Sequence, residues 1–479
     1  MISHDQQTPR TRIAIIGGGI TGLAAAHRLG ELAPACQATV FEASSRLGGI
    51  LHTVQQDDFR LEFGADNFIT NVPWGIDLCR RIGFADQLLE TAATRRRALV
   101  VRAGKLHPVP EGFMLMEPRE LWPVLKSPLL SLRGKARLLA EFFIRPRQAT
   151  GDESLASFAR RRLGREAFER LVQPLAAGIY TADPEKLSLA ATMPRFLEME
   201  RRHGGLIRAV RKSKSAGGNS TGGAGSGARY SLFVAPREGM QSLATAVAAR
   251  LPAETIKLNC AVTKLAARPG GGWNVWTAEV AEPTAFDAVV LATSAPLAAR
   301  LIESFDSLLA SALAAIPYAS SAVVVAAYKD SQLQRPLDGF GFVVPDIERR
   351  PILAASFSSM KFVNRAPQGW QLVRVFLGGA ARPDLALATE DELRRIAAEQ
   401  LSELIGAQGA PAFARVGRWP GAMPQYHLGH LERVAEIGEL VKPWAGLQLA
   451  GNAYEGVGVP ACIRSGEAAA ERILALLPA

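Results

Sequence analysis

The residues with the clearest chemical role stand near the start of the chain, where a glycine cluster follows an apolar run. Residues 12–16 are strand-like, and the alanine-rich residues 20–29 predict a helix. The glycines between them satisfy the pattern GxGxxG, which allows a tight turn, close approach of the backbone to a pyrophosphate and close helix–strand packing. Free N–H groups at the helix N-terminus favour an anion. This segment therefore predicts a dinucleotide site formed by Gly17, Gly18, Gly19, Ile20, Thr21 and Gly22.

A carboxylate and a second glycine pair extend this site. Glu42 lies 20 residues beyond Gly22, at the end of the next predicted strand, where a carboxylate binds ribose hydroxyls. Arg46 and a Gly-Gly pair follow directly. Such a pair can mark only a turn, but after the ribose acid it is typical of two-domain FAD oxidases of the amine oxidase type. We therefore predict non-covalently bound FAD, with Ala43, Arg46, Gly49 and Ile50 among its binding residues.

Both ends of the chain carry a family resemblance. Residues 12–67 resemble the amine oxidase superfamily, and residues 449–466, LAGNAYEGVGVPACIRSG, are similar to the protoporphyrinogen oxidase family, whose bacterial members include coproporphyrinogen oxidases. The resemblance implies that the C-terminal block closes the flavin site, with the last helix pointing at the flavin. It also implies further FAD-binding residues: Gly64, Ala65, Asp66, Asn67, Val262, Trp419, Asn452, Val457, Gly458 and Val459.

The same resemblance implies a substrate pocket. Arg97 matches best the family's propionate-binding arginine, and its neighbours Arg95 and Arg96 leave the register open by a residue or two. Val343, Leu353 and Phe376 fall where apolar residues clamp tetrapyrrole rings. Simple core packing is an equally good explanation of these three apolar residues.

The implied reaction is oxidation of a porphyrinogen to a porphyrin in haem biosynthesis. Hydride would pass from a meso carbon to flavin N5, and O₂ would reoxidise the flavin and yield H₂O₂. The cofactor carries this chemistry, so no catalytic side chain is predicted. The substrate is protoporphyrinogen IX or coproporphyrinogen III, and the sequence leaves that choice open. An amine oxidase or a carotenoid-type desaturase on the same scaffold is the alternative, and a scaffold without turnover is a third hypothesis.

Charge and cysteine usage bear on partners and location. Residues 95–212 hold 24 Lys and Arg against 12 Asp and Glu, an excess that suits anionic substrates or an anionic membrane surface. No nucleic-acid motif accompanies this charge, and the four dispersed cysteines indicate reduced thiols and no metal site. We expect a cytoplasmic protein, either free or attached to the membrane surface. A homodimer and hand-over of the product to a chelatase are further expectations.

The remaining pattern predicts an α/β fold. An FAD-binding Rossmann-type domain carries a substrate-binding sheet domain and an inserted helical domain. Residues 321–328, 341–344 and 372–377 predict the second sheet, and residues 463–477 the final helix. The predicted division is FAD domain at 10–94, 229–300 and 426–479, basic helical domain at 95–212, flexible Gly/Ser loop at 213–228 and substrate domain at 301–425.

Overall fold

The computed structural model describes residues 11–94, 96–149, 151–215 and 233–476. Arg95 and residues 216–232 lie outside the described residues, and so does most of the loop predicted at 213–228, whose first three residues instead end the helix Leu206–Ser215. None of the helices in these ranges is long and apolar enough to cross a membrane.

A five-stranded parallel sheet forms the dinucleotide-binding layer. Its central strand is the apolar run after the N-terminus, and the partners come from distant parts of the chain. The strand order is Ile256–Lys257, Gln37–Phe41, Arg12–Ile16, Ala288–Leu291 and Leu447–Leu449. Near-continuous apolar sequence suits such strands because a parallel sheet is covered on both faces. The two ends of the chain therefore meet in one sheet, as the sequence predicts.

A seven-stranded mixed sheet forms the second layer. Neighbouring strands of this sheet are antiparallel, except that Gly341–Val343 pairs parallel with Leu99–Arg102. Helix Glu390–Ile405 packs on one face through leucine and isoleucine side chains. The strand order is Phe413–Pro424, Tyr318–Lys329, Trp370–Gly378, Ala354–Phe357, Gly341–Val343, Leu99–Arg102 and Lys105–Pro108. The predicted fold class, a Rossmann-type FAD domain with a substrate-binding sheet, is confirmed.

Short helices between residues 121 and 215 form the third part of the molecule. Ser131, Ser154 and Ser188 each cap a helix by accepting a backbone N–H, at 3.1, 3.2 and 3.0 Å respectively. Part of the positive charge of this region is internal, because the guanidinium of Arg162 pairs with Glu141 where both side chains are fully buried. The strands Leu99–Arg102 and Lys105–Pro108 fall in the sequence range predicted as helical but belong to the mixed sheet.

Smaller elements complete the fold. The remaining strands are Thr53–Gln56, Phe59–Glu62, Phe68–Ile69, Leu88–Glu90, Phe113–Met114, Glu117–Pro118, Phe233–Pro236, Val262–Ala267, Trp273–Thr277 and Thr284–Phe286. The other α-helices are Ile20–Leu32, Trp74–Arg81, Leu121–Lys126, Leu132–Leu139, Leu155–Leu163, Arg165–Ala167, Gln173–Tyr180, Leu189–Thr192, Pro194–His203, Leu206–Ser215, Gln241–Ala248, Ala295–Ile302, Ser307–Ala314, Ser358–Lys361, His430–Val441 and Val459–Leu476. A π-helical turn spans Phe168–Val172, and single 3₁₀ turns are Ala85–Gln87, Ala140–Phe143, Ala253–Thr255, Asp330–Gln332, Asp346–Glu348 and Pro383–Leu387.

The first and last helices cross closely. A Cβ on Gly466 would overlap the carbonyl oxygen of Thr21, so the helices Ile20–Leu32 and Val459–Leu476 approach as closely as backbone allows. Their contact fixes the glycine loop against the C-terminal block. The two sequence segments that resemble flavoproteins are thus held together by backbone packing.

Candidate FAD and substrate site

Two positions of the glycine loop favour glycine through backbone conformation or backbone contact, and a third has open space beside it. Gly17 has a φ of 112°, which favours glycine, and a Cβ on Gly22 would overlap the Gly17 carbonyl oxygen. A Cβ on Gly19 would meet no atom within 4 Å. The loop leads directly into helix Ile20–Leu32, which includes Thr21. This arrangement fits a pyrophosphate lying against Gly19 at the helix N-terminus.

Glu42 lies beside this loop. One carboxylate oxygen accepts the N–H of Gly18 at 2.8 Å, and the other accepts the N–H and hydroxyl of Ser44 at 2.8 and 2.7 Å. A carboxylate has further lone pairs, so these bonds orient it and still leave it able to accept from ribose hydroxyls. The N–H of Cys260 donates to the Glu42 carbonyl at 2.9 Å, which brings the strand that begins at Val262 to the same edge.

Arg46 holds the second glycine pair in place. Its guanidinium donates to the carbonyls of Leu47, Gly49 and Leu51, at 3.3, 2.6 and 3.2 Å. The N–H of Gly48 donates to the carbonyl of Gly18 at 2.9 Å, which ties this turn to the glycine loop. Ala43, Gly49 and Ile50 stand along the same strip. The hydrogen bonds of Arg46 show that this side chain shapes the turn. Contacts between this strip and FAD stay a prediction.

The segment Gly64-Ala65-Asp66-Asn67 passes between the dinucleotide layer and the mixed sheet. A Cβ on Gly64 would overlap the carbonyl oxygen of Ile50, so this close crossing requires glycine. The indole N–H of Trp419 donates to the carbonyl of Phe63 at 2.7 Å and fastens the segment to the mixed sheet. Asp66 and Asn67 then line a cavity.

Tyr426 holds the C-terminal block at two points. The Tyr426 hydroxyl donates to the carbonyl of Asn452 at 2.6 Å and accepts the N–H of Gly456 at 2.8 Å. Burial raises the pKa of this phenol, so it stays protonated and can do both. Gly456 has a φ of 121°, and the last helix begins at Val459, just after Val457 and Gly458. The block is therefore a rigid turn that ends in a helix N-terminus, the shape needed to approach a flavin ring.

A cavity of about 820 Å³ lies where the dinucleotide layer, the mixed sheet and the helical region meet. Val343 and Phe376 line it from the sheet, and Tyr180 and Met193 line it from the helices. Its walls are largely apolar, and its volume is that of a site for a sizeable organic ligand.

Two predicted substrate residues lie away from this cavity. The buried Leu353 lines a separate, smaller cavity of about 200 Å³. Arg97 is about half exposed and pairs with Asp338, with its Nε 3.2 Å from a carboxylate oxygen. Arg96 donates to the carbonyls of Thr91 and Ala92, at 2.8 and 2.9 Å. Val343 and Phe376 thus line the same cavity as Asp66 and Asn67, whereas Arg97 and Leu353 do not line it, although the Leu353 N–H donates to the Phe376 carbonyl at 2.9 Å.

The charged side chains among the described residues of the cavity wall are Asp66, Arg195, Lys361 and Arg374. An oxygen of Asp66 lies 3.3 Å from the Lys361 ammonium and 3.0 Å from the Arg374 guanidinium. Burial alone would raise the pKa of Asp66, but these two cations outweigh it and hold the pKa at about 2. Arg195 is about half exposed and lies 3.8 Å from Glu117.

Lys361, Arg374 and Arg195 were not expected from sequence. One signal was present, since Arg374 interrupts the apolar run LVRVFL of a central strand, where a charge needs a buried partner. Lys361 and Arg195 carry no such signal, because each lies in an ordinary amphipathic segment.

Comparisons with known proteins agree with this architecture. The profile of the family described as Flavin containing amine oxidoreductase matches residues 20–474. Coproporphyrinogen III oxidase of Bacillus subtilis is 31% identical over 98% of this chain and 99% of its own. Coproporphyrinogen III oxidase of Propionibacterium freudenreichii is 33% identical over 96% of this chain and 90% of its own.

Solved structures agree as well. A structure from Exiguobacterium sp. 255-15, provisionally assigned as a protoporphyrinogen oxidase, superimposes with a TM-score of 0.85 at 27% identity, covering 97% of this chain and 99% of its own. A reduced UDP-galactopyranose mutase reaches a TM-score of 0.72 at 15% identity, covering 98% of this chain and 96% of its own, and shares the fold alone. With the split dinucleotide site and the two sheets in place, the chain belongs to the flavin-containing amine oxidoreductase family.

Proposed function

We propose that this protein oxidises a porphyrinogen to a porphyrin in haem biosynthesis, using non-covalently bound FAD and O₂ and releasing H₂O₂. The observation that carries the proposal is the cavity of about 820 Å³ lined by Asp66 and Asn67 of the predicted FAD site, apolar on most of its wall and cationic at a few points. A porphyrinogen is a large apolar ring system with carboxylate arms, so its surface is complementary to such a wall. Relatives named as coproporphyrinogen III and protoporphyrinogen oxidases support the proposal.

The chain's own residues serve to bind and orient. The glycine loop and Glu42 would hold the FAD phosphates and ribose, and the C-terminal block would cover the ring. Bound flavin supplies the hydride acceptor and the route to O₂. Val343 and Phe376 exclude water from the ring of the substrate and fix its plane, which sets the distance from its meso carbon to the cofactor.

A buried thiol supports non-covalent binding. Cys462 lies in the C-terminal block, and burial raises its pKa to about 11. A thiol in this state is a poor nucleophile at neutral pH. We expect acid precipitation of the holoprotein to release all of its flavin.

The wall of the cavity argues against the two other flavoenzyme hypotheses. The wall carries three cations and one carboxylate, and this net positive charge would repel the ammonium group of an amine substrate. A carotenoid is a hydrocarbon and would offer no partner to the positive charge that Asp66 leaves uncompensated between Lys361 and Arg374.

Anaerobic mixing with a porphyrinogen tests the proposal. The flavin absorbance should bleach without O₂, and admission of O₂ should restore the absorbance and produce H₂O₂. Porphyrin fluorescence should appear only after O₂ is admitted, because a porphyrin forms after three such two-electron cycles. Bleaching by amines or by carotenoid precursors, with none from either porphyrinogen, would refute it. Both coproporphyrinogen III and protoporphyrinogen IX belong in the experiment, since the proposal covers either substrate.

A further inference from the structure

The charges on the sheet side of the cavity do not balance. Asp66 faces both Lys361 and Arg374, so one carboxylate meets two cations. A neighbouring buried pair, Arg365 with Glu62 at 4.0 Å, is one of each sign. One positive charge is therefore left uncompensated. It is buried, since the Lys361 side chain is about 11% exposed and that of Arg374 about 2%.

Both cations have hydrogen-bonding capacity left. The Lys361 ammonium donates to the two oxygens of Asp66 at 3.4 and 3.3 Å, which are long bonds for an ion pair. Arg374 also donates to the carbonyl of Gly64, and its buried Nε has no partner among the described residues. Since buried polar groups are normally satisfied, this arrangement is incomplete without a further acceptor.

A carboxylate would complete it. Burial lowers the pKa of Lys361, and Arg374 lowers it further against the opposing effect of Asp66. An anion bound here would neutralise the surplus charge and favour the protonated amine. Lys361 and Arg374 both line the cavity, so the ligand in the cavity is the molecule able to supply that anion.

On the basis of the proposed function, we propose that Lys361 and Arg374 bind a propionate of the substrate and thereby select coproporphyrinogen III over protoporphyrinogen IX. Coproporphyrinogen carries four propionates, whereas protoporphyrinogen has vinyl groups in place of two of them. Arg195 reaches the same cavity from the helical region, so cations face the ligand from two sides. A vinyl group beside Lys361 accepts no hydrogen bond and leaves the buried charge uncompensated, which is the kind of mismatch that sites reject strongly.

The test compares kcat/KM for both substrates in the wild-type holoenzyme and in Lys361→Met, which keeps the length of the side chain and removes its charge. Wild type should prefer coproporphyrinogen. The variant should lose roughly tenfold to a hundredfold more kcat/KM on coproporphyrinogen than on protoporphyrinogen, mainly through KM. Lys361→Arg should keep most of the preference. The matched control is Lys186→Met, because Lys186 is about 65% exposed and lies outside the cavity.

A binding measurement keeps the test independent of turnover. Quenching of porphyrin fluorescence should give a larger Kd for coproporphyrin III in Lys361→Met than in wild type, with little change for protoporphyrin IX.

Equal losses on both substrates, or a wild-type preference for protoporphyrinogen, would overturn the assignment and leave the proposed function intact. Failure to oxidise either porphyrinogen would remove the proposed function itself. A loss of preference in Arg97→Ala instead would return propionate selection to the residue that the sequence resemblance implies.

Discussion

A Cβ on Gly19 would meet no protein atom within 4 Å, and we predict that the FAD pyrophosphate lies in this open space. Gly19→Val should therefore fold, with a loss of no more than about 1 kcal/mol in the free energy of unfolding of the apoprotein. Its affinity for FAD should fall by more than about tenfold, because the side chain would occupy the space of the pyrophosphate. Flavin content after purification and urea unfolding of the apoprotein measure the two effects.

Gly22→Val is the matched comparison, because a Cβ there overlaps the Gly17 carbonyl oxygen. This variant should lose stability and flavin together. A Gly19→Val protein that retains its full flavin spectrum would show that the cofactor phosphates lie elsewhere.

At the residue scale, sequence could locate the dinucleotide site because its signals are local. The glycine pattern, Glu42 and Arg46 stand within thirty residues of one another, and each follows from a turn or a strand end. The charged wall of the cavity could not be located in this way. Asp66, Lys361 and Arg374 are about three hundred positions apart at the extremes and meet only through tertiary packing.

At the scale of secondary-structure elements, the close crossing of the first and last helices is the clearest constraint on the sequence. Gly466→Ala would push a methyl group into the Thr21 carbonyl, which is backbone and cannot move aside alone. We expect a loss of about 1–3 kcal/mol in the free energy of unfolding and weaker FAD binding, since the same helices position both halves of the site. Chemical denaturation and flavin titration measure these effects.

Gly438→Ala is the control for that crossing. Gly438 lies inside helix His430–Val441, and a Cβ there meets no atom within 4 Å. Alanine should stabilise this helix by about 0.4–1 kcal/mol. A Gly466→Ala protein as stable as wild type would mean that the two helices can separate without affecting the fold.

The central strand Arg12–Ile16 of the dinucleotide sheet could be predicted from its apolar run, and so could the strands of the mixed sheet at residues 321–328, 341–344 and 372–377. The pairing of Leu99–Arg102 with Gly341–Val343 could not, because partners about 240 residues apart leave no local pattern. Leu99–Arg102 falls in the domain predicted as helical at 95–212, and burial of Leu99 and Val101 in the core of the mixed sheet explains why it forms a strand there.

For the whole molecule, one buried histidine predicts how stability depends on pH. His430 is fully buried and stacks on the Tyr426 ring at a centroid distance of 3.8 Å. Burial, assisted by Arg433, lowers its pKa from 6.5 to about 4. Above pH 6.5 the neutral His430 contributes fully to the free energy of unfolding. Between pH 6.5 and pH 4 only the unfolded chain takes up the proton, so about 3 kcal/mol of that free energy is lost as the pH falls through this interval.

Urea unfolding at pH 7 and pH 4 measures this dependence, and His430→Phe should flatten it while keeping the stacked ring. If His430→Phe loses as much stability between pH 7 and pH 4 as wild type does, other groups cause the pH dependence.

The surface of the whole molecule predicts its behaviour at a lipid interface. Trp122, Leu132 and Phe143 are 66%, 84% and 78% exposed, all within the region where Lys and Arg outnumber Asp and Glu by two to one. Exposed apolar side chains beside basic ones favour an anionic membrane surface, to which each nearby cation adds about 1 kcal/mol at low salt. We expect reversible binding to vesicles rich in phosphatidylglycerol, weakened by salt and nearly absent on pure phosphatidylcholine.

Changing Trp122, Leu132 and Phe143 to serine should weaken binding at least about tenfold. Serine at Leu308 and Leu387, which are 71% and 80% exposed outside this region, should leave binding unchanged. Equal binding to neutral and anionic vesicles, or equal losses in both sets of variants, would contradict the prediction.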